Sequence, residues 1–337
     1  MRKALIVAPS WIGDTIMAQP LFARLQARHP GLQLDALAPR WVAPVLRRMA
    51  GIGEVIDNPF GHGSLRLKER WWLGRQLVAR GYDSALVLPN SLKSALIPAF
   101  AGIPRRIGFT GEARYGFINV RHRLDPEALP LMLERFMQLA EAPGAPLERP
   151  LPYPVLRSTP EDRAQTLASL GMVRPEKIAA FCPGAEYGPA KRWPAAHFAE
   201  LARLLAARGY TCWLFGSPKD HAIAEEISQQ AAGCCLNLCG TTTLDQAVDL
   251  IALSDFVVCN DSGLMHVAAA VGRPLVALYG SSSPGFTPPL SAQAKILNLN
   301  LDCSPCFKRE CPLGHLDCLH KLMPSAVLAA CTDWIRP

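Results

Sequence analysis

The stretch DFVVCNDSGLMHVAAAVGRPLVALYG, residues 255 to 280, constrains the fold more than any other part of the chain. A short apolar run meets a polar corner, an alanine-rich helical segment follows, and a second apolar run, PLVALYG, closes the unit. Two such runs joined through a helix read as parallel strands buried on both faces. The corner presents unpaired helix-start amides, which suit an anion.

The same repeat runs along the whole chain. KALIVA (3 to 8) reads as a strand, TIMAQPLFARLQARH (15 to 29) as a helix and LQLDALA (32 to 38) as a second strand. WVAPVLRRM, GEVIDNP, the helical RLKERWWLGRQLVARG and YDSALVLPN carry the pattern to Asn90. A second α/β series comprises KIAAFCPG (177 to 184), HFAELARLLAARG (197 to 209), YTCWLFGS (210 to 217), DHAIAEEISQQAA, CLNLCG (235 to 240), LDQAVDLIALS and the 255 to 280 unit. Between the series, residues 141 to 160 contain six prolines and neither period, which marks an interdomain linker.

At 337 residues the chain exceeds the size at which one hydrophobic core usually keeps growing. The expectation is therefore two α/β domains, 1–150 and 160–323, followed by a helical segment over 324–337. The pattern of that last segment leaves open whether it packs on the second domain or crosses back to the first. Ligands of such domains belong at the carboxyl ends of the strands, here in a crevice shared by the halves.

The formal charge of +7 is unevenly spread. Residues 1 to 150 hold 20 Lys/Arg against 12 Asp/Glu, and residues 151 to 337 hold 15 against 16, so the halves stand at +8 and −1. An anionic partner facing the first domain follows: nucleic acid, a phosphorylated lipid and a membrane surface all qualify. No dense basic tract or nucleic-acid module appears. No window reaches the roughly 18 to 20 uninterrupted apolar residues of a membrane span, and MRKALIVAPSWIGD reads as the buried first strand of a cytosolic protein. Eleven cysteines scattered through apolar runs fit a reducing compartment.

Several corners carry candidate chemistry. Asp261, Ser262, Gly263 and His266 lie where a strand turns into a helix; they make either a well-capped helix with a satisfied histidine or a diphosphate cradle, with Leu264 close behind. In FCPGAEYGPAKRWP (181 to 194), Lys191 or Arg192 is either part of a solvated basic pair beside a packed Trp193 or a group that neutralises a leaving diphosphate. FGSPKD (215 to 220) offers Lys219 or Asp220 to a ribose or base, although a plain turn uses the same residues. Asp14, after the first strand, is a capping candidate whose carboxylate could also remove a proton from an acceptor hydroxyl. Lys93, Arg105, Arg106, Arg114, Arg121 and Arg123 gather as ordinary surface charge or as an acceptor surface for phosphates or carboxylates. Cys303, Cys306, Cys311 and Cys318, with His315 among them, follow C-x2-C-x4-C-x6-C; four thiols this close could hold zinc or an iron–sulfur cluster, but the spacing is not a standard knuckle pair, and free thiols or fortuitous disulfides are favoured over a metal there.

Taken together, PSWIGDTIMAQP (9 to 20), CPGAEYGPAKRWP (182 to 194), NDSGLMHVAAAVGRPLVALYG (260 to 280) and LDCSPCFKRECPLGH (301 to 315) make the chain resemble the ADP-heptose:lipopolysaccharide heptosyltransferases, glycosyltransferase family 9, over essentially its whole length. The last segment favours the second of the family's inner-core enzymes over the first. The resemblance implies the GT-B architecture, two Rossmann-like domains with the acceptor on the first and the nucleotide-sugar on the second. It implies inverting transfer of L-glycero-D-manno-heptose from its ADP carrier, ADP-L-glycero-β-D-manno-heptose, onto the first heptose of the Kdo2-lipid A inner core. By the same resemblance Asp14 is the general base, Lys191 a diphosphate contact and Asp261 a donor-heptose ligand, while Ser262, Gly263, Leu264 and His266 hold the diphosphate. The family's acidic ribose contact has no clean match in FGSPKD, where Lys219 and Asp220 stand nearest. No cofactor or metal is expected, since lysine and helix amides can do an ion's work. The expected partners are ADP-heptose, heptosyl-Kdo2-lipid A and, peripherally, the cytoplasmic face of the inner membrane; nucleic acid is not among them. Alternatives are a related enzyme with another nucleotide-sugar or acceptor, and a non-catalytic binder of nucleotides or anionic lipids.

Overall fold

The computed structural model describes residues 1–61 and 63–336. It divides into two compact units, Met1–Val155 and Leu156–Pro337. The division falls inside the proline-rich segment, and residues 139 to 159 form neither helix nor strand.

Each unit holds a six-stranded parallel sheet. In the first, β1 (Lys3–Val7), β2 (Gln33–Ala38), β3 (Ile52–Asp57), β4 (Ser84–Val87), β5 (Arg105–Phe109) and β6 (Val120–His122) lie in the order β3-β2-β1-β4-β5-β6. In the second, β7 (Ile178–Cys182), β8 (Thr211–Leu214), β9 (Cys235–Asn237), β10 (Phe256–Asn260), β11 (Leu275–Leu278) and β12 (Ala294–Leu297) lie in the order β12-β11-β10-β7-β8-β9. Both orders have one form: three strands wind outward from the middle, then the chain returns beside the first strand and winds the other way. Ligand sites of open α/β sheets lie where that direction reverses, here between β1 and β4 and between β7 and β10.

Hydrophobic runs become strands because helices cover both faces of each sheet. Every residue of β7, β10 and β11 is buried. Cys259 pairs with Cys182 and Asn260 with Leu278, so β7, β10 and β11 end level with one another. Their carboxyl ends open onto one edge.

Element boundaries differ from expectation where local chemistry intervenes. The helix expected over 15 to 29 begins at Ile12 and is split into Ile12–Met17 and Gln19–Arg28. Pro20 causes the split, since it lacks an N–H and its ring fits only the first turn of a helix. The helices Leu92–Phe100, Met132–Gln138 and Pro160–Ser169 and strands β5, β6 and β12 were not expected. β6 and β12 are short, half-buried edge strands without the apolar run that would announce them. The helix Pro324–Cys331 packs on the helix Ala195–Ala206 and on β11, and Lys295 Nζ lies 4.7 Å from the Trp334 ring centroid, so this segment is built into the second unit.

Candidate active site

In the second unit the loop after β7 and the helix start after β10 are tied together by one buried side chain. Asn260 donates through Nδ2 to the Pro183 carbonyl (2.7 Å) and accepts through Oδ1 from the Trp193 amide (3.1 Å). It staples both ends of the 183–193 loop. The loop is pinned further by Trp193, fully buried, whose indole N–H donates to the Leu322 carbonyl (2.7 Å) and whose ring packs edge-on against Phe198.

Held this way, the loop delivers Lys191 to the reversal point between β7 and β10. Its Nζ lies 2.6 Å from Asp261 Oδ2, the two side chains being 17% and 5% exposed. Lys191 is therefore not half of a solvated basic pair. Arg192 is held too, donating to the Ala185 carbonyl (3.3 Å) and lying 3.9 Å from Asp220 Oδ1.

The well-capped helix is also absent. Ser262 occupies the cap position of the helix Gly263–Ala270 with extended backbone, yet its side chain makes no cap bond, and Ser262 Oγ is buried without a partner. Asp261 faces Lys191 instead. The first-turn N–H groups of a helix lack the usual acceptor four residues back; here the Met265 N–H reaches the Ser262 carbonyl (3.2 Å), and among the described residues no side chain accepts from the Gly263 or Leu264 N–H. Gly263 and Leu264 are partly buried at this start, and His266 sits one turn in. Burial lowers the His266 imidazole to about 4; the Asp261 charge pulls the other way and Lys191 lowers it further. His266 is consequently neutral at pH 7 and can donate one ring N–H.

The third corner is placed differently. Asp220 is buried and accepts through Oδ2 from the Ser217 amide (2.9 Å) and hydroxyl (2.8 Å). Gly184 leaves it room, since a Cβ there would stand 2.5 Å from the carboxylate. Lys219 is exposed and pairs with Glu186 at 2.5 Å.

Sequence reasoning missed the buttress around Lys191. The Tyr187 hydroxyl donates to the Phe307 carbonyl (2.8 Å), and the Ala190 amide donates to the Arg309 carbonyl (3.0 Å). Lys191 Nζ and the Arg309 guanidinium lie 5.1 and 5.3 Å from the Tyr187 ring centroid. The cysteine segment thus braces the lysine loop from outside. Its four cysteines are free thiols bordering one small cavity. Backbone N–H groups, that of Leu316 foremost, lower the Cys311 thiol, whereas burial raises Cys318. Among the described residues no three His, Cys, Asp or Glu side chains form a group able to hold a metal ion. Asn260 and the Tyr187–Arg309 contact had no periodic signal; only an amide at the end of an apolar strand hinted at the first.

In the first unit Asp14 stands partly exposed in the first turn of the helix Ile12–Met17, directly after β1 at the other reversal point. The N-cap position is Trp11, with Asp14 three residues further on in the first turn. The half-exposed Trp41 donates its indole N–H to the Ser10 carbonyl (2.8 Å) beside it. Of the arginine group, Arg114 is buried and donates to the Pro89 carbonyl (2.8 Å) and Asn90 Oδ1 (2.5 Å), and Arg106 donates to the Phe117 (2.7 Å) and Ile103 (2.5 Å) carbonyls. These two are struts. Arg105, Arg121 and Arg123 remain on the surface.

Comparison with known proteins identifies the family. The family model described as glycosyltransferase family 9 (heptosyltransferase) matches residues 70–317. The chain is 48% identical to lipopolysaccharide heptosyltransferase 2 of Escherichia coli K12, covering 97% of this chain and 96% of that protein. It is 46% identical to lipooligosaccharide heptosyltransferase 2 of Haemophilus influenzae, covering 88% of each. The solved structure of E. coli ADP-heptose lps heptosyltransferase II superposes with a TM-score of 0.89 at 45% identity, covering 99% of this chain and 98% of that one. The two Rossmann-like units are those of a GT-B fold.

Proposed function

The chain belongs to glycosyltransferase family 9 and is a glycosyltransferase, and from that premise we propose that it transfers a heptosyl group from ADP-heptose to the first heptose of a lipopolysaccharide inner core, inverting the anomeric carbon. The observation that carries this reading is the Lys191–Asp261 pair beside an uncapped helix start at the β7/β10 reversal. A partly buried cation already partnered by a carboxylate, next to unfilled amides and an unpartnered hydroxyl, is a site prepared for a multiply charged anion.

In this reading the donor diphosphate takes the first-turn amides at Gly263 and Leu264, the Ser262 hydroxyl and one His266 N–H. Asp261 holds the donor heptose. Lys219 and Asp220 stand at the nucleotide end. Asp14 removes the proton from the attacking acceptor hydroxyl; the new bond forms from that oxygen to the anomeric carbon as the bond from that carbon to the diphosphate oxygen breaks. ADP leaves with the electron pair, and Lys191 and the helix amides stabilise the charge it gathers. Neither a cofactor nor a metal takes part in this scheme. Because the acceptor is a lipid, the enzyme works at the cytoplasmic face of the inner membrane; no helix among the described residues is long and apolar enough to cross a membrane.

Mass analysis of products formed from ADP-heptose and a heptose-bearing truncated lipopolysaccharide tests donor, acceptor and reaction together. The expected product is the acceptor heavier by one heptose. Absence of that product, or preference for a UDP-sugar, would reject the assignment.

A further inference from the structure

The helix Leu67–Leu77 of the first unit shows solvent a face that the reaction does not use. Its inner side is firmly seated. At Gly74 a Cβ would come within 2.6 Å of the Phe100 side chain and 2.9 Å of the Ile97 carbonyl, so only glycine lets this helix lie against Leu92–Phe100. The buried Arg70 guanidinium lies 4.2 Å from the Phe60 ring centroid and donates to the Leu65 carbonyl (2.7 Å). The outer side is therefore held outward.

That outer side is unusual for a water-facing surface. Leu65, Leu67, Trp71, Trp72 and Val78 are all 43% to 62% exposed, five of the sixteen large apolar side chains so exposed among the described residues. At helical spacing Leu67 and Trp71 share one strip, and Lys68, Trp72 and Arg75 share the strip beside it. Arg66 is paired with Glu69 (3.1 Å), whereas Lys68 and Arg75 are exposed with no ion pair among the described residues. Residues 65 to 80 carry five cations and one acid, within the half of the chain that stands at +8.

We propose that this face docks on an anionic lipid bilayer, through Leu67, Trp71 and Trp72 at the acyl boundary and through Lys68 and Arg75 at the headgroups. Indole rings with an apolar body and one N–H favour that interface, and flanking cations add attraction to acidic lipid. A protein partner suits the face less well, because protein interfaces, though enriched in tryptophan and arginine, are depleted in lysine, and here Lys68 shares a strip with Trp72. The inference rests on the reading of a lipid-borne acceptor and names the surface by which the chain reaches it.

The test is sedimentation of the full chain with vesicles of phosphatidylcholine containing one quarter phosphatidylglycerol, and with phosphatidylcholine alone. Wild type sediments with the anionic vesicles. The double change Lys68→Gln and Arg75→Gln weakens partitioning about 30-fold, as expected for two headgroup cations. Trp71→Ser with Trp72→Ser weakens it at least ~10-fold and removes the quenching of tryptophan fluorescence by brominated lipid. Both variants keep wild-type transfer to a detergent-solubilised truncated acceptor, which separates loss of docking from failure of the proposed reaction. Variants that sediment like wild type, or a wild type that binds neither vesicle, would overturn the proposal.

Discussion

Replacing Lys191 by methionine tests how the site stores charge before any donor arrives. Methionine keeps most of the stem's volume, so the change removes chiefly the cation and its 2.6 Å bond to Asp261. The carboxylate left behind is only 5% exposed and has the neutral His266 close by. Removing one member of a buried pair costs about 3 to 5 kcal/mol, and the 17% exposure of the lysine points to the lower end of that range. The expected loss is therefore about 3 kcal/mol, measured by urea unfolding followed through the buried Trp193 and Trp213. Asp261→Asn in the same background removes the stranded charge and should restore about 2 kcal/mol, within the coupling found between contacting residues. The lysine variant should also bind ADP about 10- to 100-fold more weakly, the scale of a hydrogen bond to a charged group. A loss below about 1 kcal/mol, or an additive double variant, would show that the pair carries no net coupling. Unchanged ADP affinity would remove Lys191 from the diphosphate site.

Three further outcomes are expected. Asp14→Asn should lower turnover at least ~100-fold while ADP binding persists, the size of acid–base assistance; equal turnover in product assays would discard Asp14 as the base. His266 titrates near 4 when folded and near 6.5 when unfolded, so the unfolded chain takes up the proton first. Its contribution is fully present above about 6.5 and is lost as pH falls towards 4, by at most about 1.4 kcal/mol per unit; urea midpoints at pH 7 and 5 should differ less in His266→Gln. Gly188→Ala would set a Cβ 2.5 Å from the Arg309 carbonyl, a backbone atom. It should destabilise by about 1 to 3 kcal/mol and raise KM for the donor, and a wild-type KM would show that bracing from the cysteine segment does not matter to Lys191.

Much of this protein can be read along the chain because burial on both faces of a parallel sheet demands unbroken apolar runs. KALIVA, FVVCN and PLVALYG announce β1, β10 and β11, and the prolines between 141 and 160 announce the break between units. The polar corners at strand ends followed from the same logic. Lys191, Asp261, Ser262 and His266 could be named as candidates for that reason. Their partners could not. Whether Ser262 capped its helix or stood unpartnered, and whether Lys191 was solvated or bonded to Asp261 seventy positions away, depends on contacts that no local period encodes. The Asn260 staple, the Tyr187–Arg309 brace and the inward turn of Arg106 and Arg114 are likewise settled by which atoms meet once the sheets close. Periodicity records how often a side chain is buried, and only the assembled structure records what it is buried against.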